Sequence, residues 1–185
     1  MQENPVIIAQ TKSWINNVVV GCNFCPFAAR EVKKNSISYE VMDDESPQAV
    51  LERLVLTFLK MDDDEAIETS LLILPAGFAS FNDYLELVSV AEKLLKKQGY
   101  DGIYQIASFH PEYLFAGSKE NDAANYTNRS PYPMLHILRE ESVSRAIDSH
   151  PDTKKIPANN IAFARAKGES HMRNLLKLSL KTALE

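Results

Sequence analysis

No apolar run in the chain approaches the roughly 18–20 residues that a membrane-spanning helix needs, and only two cysteines occur among 185 residues. The first absence excludes a helical membrane protein. The second excludes a disulfide scaffold, because Cys22 and Cys25 lie three positions apart and cannot staple distant parts of the chain. Basic charge is also in short supply. Twenty Lys and Arg stand against 25 Asp and Glu, giving a net charge of −5 and a pI near 5.4, which argues against a general nucleic-acid-binding surface but leaves room for a local basic pocket. The opening Met1-Gln2-Glu3-Asn4-Pro5 has neither the basic stretch nor the long apolar core of a secretory signal. Cytoplasm is the expected location.

What is present is ordinary for a globular protein: 45% hydrophobic and 24% charged residues, without an internal repeat or a low-complexity linker. The length fits one domain, residues 1–185.

Residues 9–20 carry apolar positions at Trp14, Ile15, Val18 and Val19, which predicts an amphipathic helix, although the β-branched end also fits a strand. Residues 37–42 alternate as a strand does. Ser46-Pro47 is a capped helix start, followed by the apolar stripe Val50, Leu51, Leu54, Val55 and Phe58. Residues 70–74 form a short apolar run stopped by Pro75, as in a strand buried on both faces. Ser80 starts a second helix through Tyr84, Val88, Ala91 and Leu95, closed by Gly99, and residues 103–109 read as the next strand.

This β-α-β-α-β order predicts an α+β fold with a small, mainly parallel sheet flanked by helices. Residues 118–133 predict a long irregular loop, and such loops are usually functional or disordered. Residues 134–148, a stretch opened by Pro157, and residues 172–184 predict a helical C-terminal part.

Three segments carry residues suited to chemistry. In Cys22-Asn23-Phe24-Cys25-Pro26-Phe27-Ala28, Pro26 suits a first helical turn and would place Cys25 at a helix start, where backbone amides favour a thiolate. A buried structural cysteine is the competing reading. Residues 24–41 also resemble the glutaredoxin and omega glutathione-transferase signature: cysteine, Pro-Phe, a helix, then Ile-x-Tyr-Glu-Val. That likeness is short, and the later chain lacks a Val-Pro turn to support a thioredoxin-like site. Zinc would need further ligands from His110, His136, His150 and His171, which are widely spaced, so the metal content stays open.

His110 lies where a strand ends, the usual side for ligands in open α/β sheets, and is a candidate acid or base; a turn-tying histidine is the plain alternative. Between Asp122 and Arg139 lie Asn128, Arg129, Ser130 and Tyr132, with His136 beside them. The arginine forks suit carboxylate or phosphate, and the Asn, Ser and Pro equally suit tight turns.

Together, Gly21…Cys25-Pro26-Phe27-Ala28, Phe109-His110-Pro111…Phe115, Asp122, Asn128-Arg129-Ser130-Pro131-Tyr132-Pro133 and Leu135-His136…Leu138-Arg139-Glu140 resemble the DUF1415 family over nearly the whole chain. In that pattern the cysteine matches Cys25, whereas the position of Cys22 is commonly aliphatic. The resemblance therefore implies no shared dithiol chemistry, and the family is one of unknown function.

The reading that joins these residues is an enzyme with Cys25 as nucleophile or metal ligand and His110 or His136 as its acid/base partner. Asp122, Asn128, Arg129, Ser130, Tyr132 and Arg139 would then hold a small anionic substrate. A CxxC thiol-redox protein and a non-catalytic ligand-binding module are the alternatives. No nucleic-acid or membrane partner is expected from the residues, and the cofactor and the oligomeric state stay open.

Overall fold

The computed structural model describes residues 4–149 and 153–182. Its first helix, α1 (Asn4–Trp14), runs on into a π-helical segment, Ile15–Val20. Ile7, Gln10, Thr11, Trp14, Ile15 and Val18 face inward at helical spacing, so the β-branched end belongs to the helix and not to a strand. The run ends with Asn23 in the left-handed region at φ 54°. There the Phe24 N–H donates to Val19 O and the Asn23 N–H to Val20 O, a pattern that satisfies carbonyls left open at a helix end.

After α2 (Ala28–Lys34) comes the edge strand β1 (Ile37–Val41). Next, α3 (Pro47–Asp63) starts where the Ser46 hydroxyl accepts from the Ala49 N–H. β2 (Thr69–Ile73) is buried throughout. α4 (Phe81–Lys97) repeats the serine cap, with Ser80 accepting from the Asp83 N–H, and β3 (Tyr104–Phe109) follows. β4 (Met134–Arg139), α5 (Glu140–Ser149), α6 (Ile156–Lys167) and α7 (Glu169–Leu180) complete the chain. The last helix starts three residues before the sequence expectation, whose residues 183 and 184 lie outside the described part.

The sheet corrects one expectation and refines another. Its order is β1-β2-β4-β3, and only β1 and β2 pair in parallel; β4 runs antiparallel to both β2 and β3. The sheet is mixed, so it is not mainly parallel. The strand that makes the difference, Met134–Arg139, falls in a stretch expected to be helical. It is a short apolar run buried on both faces, the case in which helix and strand periodicities cannot be told apart. Leu135 and Ile137 face one core, while Met134 faces the other. Only the part after it, α5, is helix.

Two cores sandwich the sheet. On one face α3 and α4 bring Leu54, Phe58, Met61, Tyr84 and Ala91 onto Leu72, Tyr104, Leu135 and Ile137. On the other, the first helical run, α6 and α7 bring Trp14, Val18, Ala164 and Met172 onto Leu71, Ile73 and Met134. Each fully buried Leu, Ile, Val or Phe contributes about 1.5–3 kcal/mol. The irregular loop belongs to the second core: a 3-10 turn, Ala123–Thr127, buries Ala123, Ala124, Asn125 and Tyr126 against α6 and α7. Among the described residues, no helix is long and apolar enough to cross a membrane.

Candidate functional site

His110 leaves the end of β3 and is 1% exposed. Its Nδ1 accepts from the Glu112 N–H at 3.0 Å, so the ring proton sits on Nε2 and is donated to Phe78 O at 2.9 Å. Phe81 and Tyr84 pack on it at 5.2 and 5.1 Å between ring centroids. Burial lowers its pKa, against smaller opposing effects from Phe78 and Glu112. Both nitrogens are engaged with backbone, the geometry of a histidine that ties a turn.

His136 sits mid-strand in β4 with Nε2 2.6 Å from Thr69 Oγ1. That hydroxyl also lies 2.6 Å from Ile137 O, to which it donates, leaving His136 Nε2 as the donor to it. Burial pushes the imidazole down to about 4, so it is neutral at pH 7.

The two cysteines are free thiols. Cys22, in the second core, is buried, which raises its pKa, and the Lys167 ammonium acts against that rise. Cys25 is partly exposed and lies before α2, whose cap residue is Phe27, so it is not at the helix start expected for it. The hydrogen bonds of His110 and His136 run to Phe78, Glu112 and Thr69 and not to Cys25. Among the described residues, no group of three or more His, Cys, Asp or Glu is arranged to hold a metal ion. His150 lies outside them.

The polar loop residues are placed close together and are turned mostly toward the backbone. Arg129 donates from Nε to Tyr113 O at 3.1 Å and from Nη2 to Glu120 O at 3.1 Å, with its guanidinium 4.7 Å from the Tyr126 ring centroid. Asn128 donates to Ser108 O at 3.3 Å, and buried Ser130 donates to Tyr132 O at 2.6 Å. The Tyr132 hydroxyl donates to Gln10 Oε1 on α1. Arg139 points to the opposite end of the sheet. There it donates to the carbonyls of Met61, Asp64 and Ile67 around the end of α3. These side chains supply donors that irregular backbone would otherwise lack.

Asp122 is the exception. It caps the 3-10 turn by accepting from the Ala124 N–H at 3.0 Å, and it also faces an open groove of about 530 Å³ between the loop and the α6–α7 junction. Gly117, Lys119, Arg165, Gly168 and Glu169 share that lining. Arg165 donates to both Asp122 oxygens, at 3.1 and 2.7 Å, and holds the Asp122 carboxyl down to about 2, with help from the Ala124 N–H. Glu169 is engaged with Arg173 and the Tyr126 hydroxyl. Gly168 precedes α7 without a side-chain cap, so the positive end of that helix dipole also borders the groove.

Lys119, Arg165 and Glu169 were not singled out by the sequence reading. Asp122 and Arg165 are 43 positions apart, and no local pattern links them. The i,i+4 spacing of Glu169 and Arg173 was the one local signal available.

Fold and groove together define an α+β protein: a mixed four-stranded sheet between helical layers, with a charged recess where the long loop meets the C-terminal helices. The profile of DUF1415, described as a protein of unknown function, matches residues 6–174, and the chain belongs to that family. No match is found among curated proteins or among solved structures.

Proposed function

We propose that this protein binds a small anionic ligand, a carboxylate or phosphate ester, in the groove between the long loop and the α6–α7 junction. The observation that carries the reading is the joint lining of one open recess by Lys119, Arg165 and the uncapped start of α7. An anion there meets Lys119, the part of the Arg165 guanidinium not engaged by Asp122, and the positive end of a helix dipole, while the two carboxylates of the lining, Asp122 and Glu169, are each paired with an arginine. The Asp122–Arg165 pair orients the guanidinium, and the ligand shares it. Gly117 and Gly168 have positive φ, and nothing lies within 4 Å of a Cβ built on either, so the groove is open beside the backbone there.

A catalytic version of this function, with Cys25 as nucleophile and His110 or His136 as base, has less support. Both histidines hold their protons in bonds to other groups. Substrate contacts from Asn128, Arg129, Ser130, Tyr132 and Arg139 have less support for the same reason, since those side chains already satisfy protein acceptors.

The test is a backbone-amide NMR titration with inorganic phosphate, a sugar phosphate and a dicarboxylate. Saturable shifts centred on residues 117–119 and 168–171 are expected, weakening with added salt. Removal of one charge-assisted contact, by Lys119→Ala or Arg165→Ala, should cost about 1.5–3 kcal/mol, roughly ten-fold or more in affinity. Absence of saturation, or shifts centred elsewhere, contradicts the proposal.

A further inference from the structure

We infer that Cys22 and Cys25 form a dithiol–disulfide exchange site whose reaction partner is a disulfide-bearing molecule. The site is separate from the groove, and the inference does not rest on the ligand-binding reading.

The two thiols are free and unequal. Cys22 is buried, and Cys25 is partly exposed. Between them, Asn23 at φ 54° turns the chain sharply, the Phe24 N–H returns to Val19 O, and the Ala28 N–H closes a further turn on Cys25 O at 3.2 Å. The loop is therefore folded back instead of extended. That matters because a disulfide needs its two Cα atoms about 4.4–6.8 Å apart.

A second group of contacts fixes this loop from outside. Asn160 of α6 donates to Phe24 O at 2.7 Å, and Phe163 meets the Phe24 ring edge-on at 5.9 Å. The Lys167 ammonium lies 5.5 Å from the Phe163 ring centroid, and its charge acts on the Cys22 thiol against the larger effect of burial. A hydrophobic packing role does not need a second thiol at the surface.

The inequality assigns the order of events. Cys25, the accessible thiol, loses its proton to solvent and attacks one sulfur of the incoming disulfide RSSR. A Cys25–S–SR bond forms, the RS–SR bond breaks, and RS⁻ leaves and takes up a proton. Cys22 then loses its proton to solvent and attacks the Cys25 sulfur. The intramolecular disulfide forms and the second RS⁻ is expelled and protonated. Two electrons pass from the cysteine pair to RSSR, which is reduced to two RSH.

Glutathione disulfide, added to the reduced full-length protein and followed by intact mass and peptide mapping, is the direct probe. The expected product has lost two hydrogens and contains a Cys22–Cys25 disulfide that dithiothreitol reverses. A Cys22→Ser variant should stop at a single glutathionyl group on Cys25. A Cys25→Ser variant should stay unmodified until it is unfolded in urea. Two results overturn the inference. In one, the native protein keeps glutathionyl-Cys25 without closing the disulfide. In the other, it keeps both thiols under conditions that oxidise its urea-unfolded form. Neither outcome bears on anion binding in the groove, which the NMR titration reads separately.

Discussion

The Asp122 carboxylate and the Arg165 guanidinium meet side-on across 43 residues of sequence, Nε to Oδ1 at 3.1 Å and Nη2 to Oδ2 at 2.7 Å. This pair ties the long loop to α6 and forms one wall of the groove. Because the folded carboxyl is held at about 2, below its unfolded value of about 3.9, the pair stabilises the fold above the unfolded value. That stability is lost as pH falls through the folded value. Both groups lie near solvent, so the effect is screened and small. Thermal unfolding of the wild type and Arg165→Ala should differ modestly at pH 7, with the gap closing on acidification through that window. A gap that persists at the acid end would assign the effect to something other than this carboxylate.

His136 gives a pH dependence of the same sign as the Asp122 carboxylate, in a higher pH window. Its folded pKa is depressed to about 4, against about 6.5 unfolded, so the unfolded chain takes up the proton first. Stability is therefore full above about 6.5, declines as pH falls toward about 4, and levels off below that. The window from about 6.5 to about 4 corresponds to about 3 kcal/mol. Urea unfolding of His136→Gln across that range should show a shallower decline than the wild type. His110, also lowered by burial, contributes in the same direction, and the double variant should flatten the profile further.

Arg139 stabilises the end of α3 by donating to three backbone carbonyls, Met61, Asp64 and Ile67, and to the Tyr104 hydroxyl at 3.3 Å. Arg139→Met removes the guanidinium donors to Met61 O and Ile67 O, while Asp64 O keeps the Ile67 N–H, a loss of about 1–3 kcal/mol on the scale of an unsatisfied group. Lysine has no planar fork to span them. Chemical denaturation should therefore show both variants destabilised, Met more than Lys. Unchanged stability with weakened anion binding would instead make Arg139 a ligand residue.

Gly77 is required by a side chain, not by a turn. The Glu45 carboxylate accepts from the Ala76 N–H at 2.6 Å and from the Gly77 N–H, and a Cβ at Gly77 would lie 2.6 Å from Glu45 Oε2 and 2.9 Å from Glu45 Cβ. Gly77→Ala must displace the carboxylate, at a cost of about 1–3 kcal/mol. Glu45→Gly, which removes both the carboxylate and the Cβ, should destabilise the same loop, and adding Gly77→Ala to it should then cost little. Additive losses in the double variant would show that the two residues act independently.

Much of the fold was readable because local chemistry decides it. Ser46 and Ser80 cap the helices they were expected to cap, and the apolar run around Leu71 to Ile73 is the doubly buried strand it was expected to be. β4 was not readable, because Met134–Arg139 is as apolar as a buried helix turn and its partners lie more than 60 residues earlier in β2 and about 30 earlier in β3. Inserting β4 between β2 and β3 is what turned an expected parallel sheet into a mixed one. The polar segment was located correctly as an ordered loop, but the direction of its side chains was not legible. Arg129 has the same donors whether it meets a phosphate or the carbonyls of Tyr113 and Glu120, and only the fold says which. The groove joins Lys119 to Arg165 and Gly168 through tertiary contact alone.

The proposed anion site is the recess beside Asp122 and Arg165. Its most direct test is the affinity of a sugar phosphate for the wild type, Lys119→Ala and the charge-reversed Arg165→Glu, measured by the amide shifts of residues 117–119 and 168–171. Saturable binding to the wild type, weaker binding to Lys119→Ala, and none to a folded Arg165→Glu are the expected results. Equal shifts in all three proteins, or none in the wild type, would contradict the proposal.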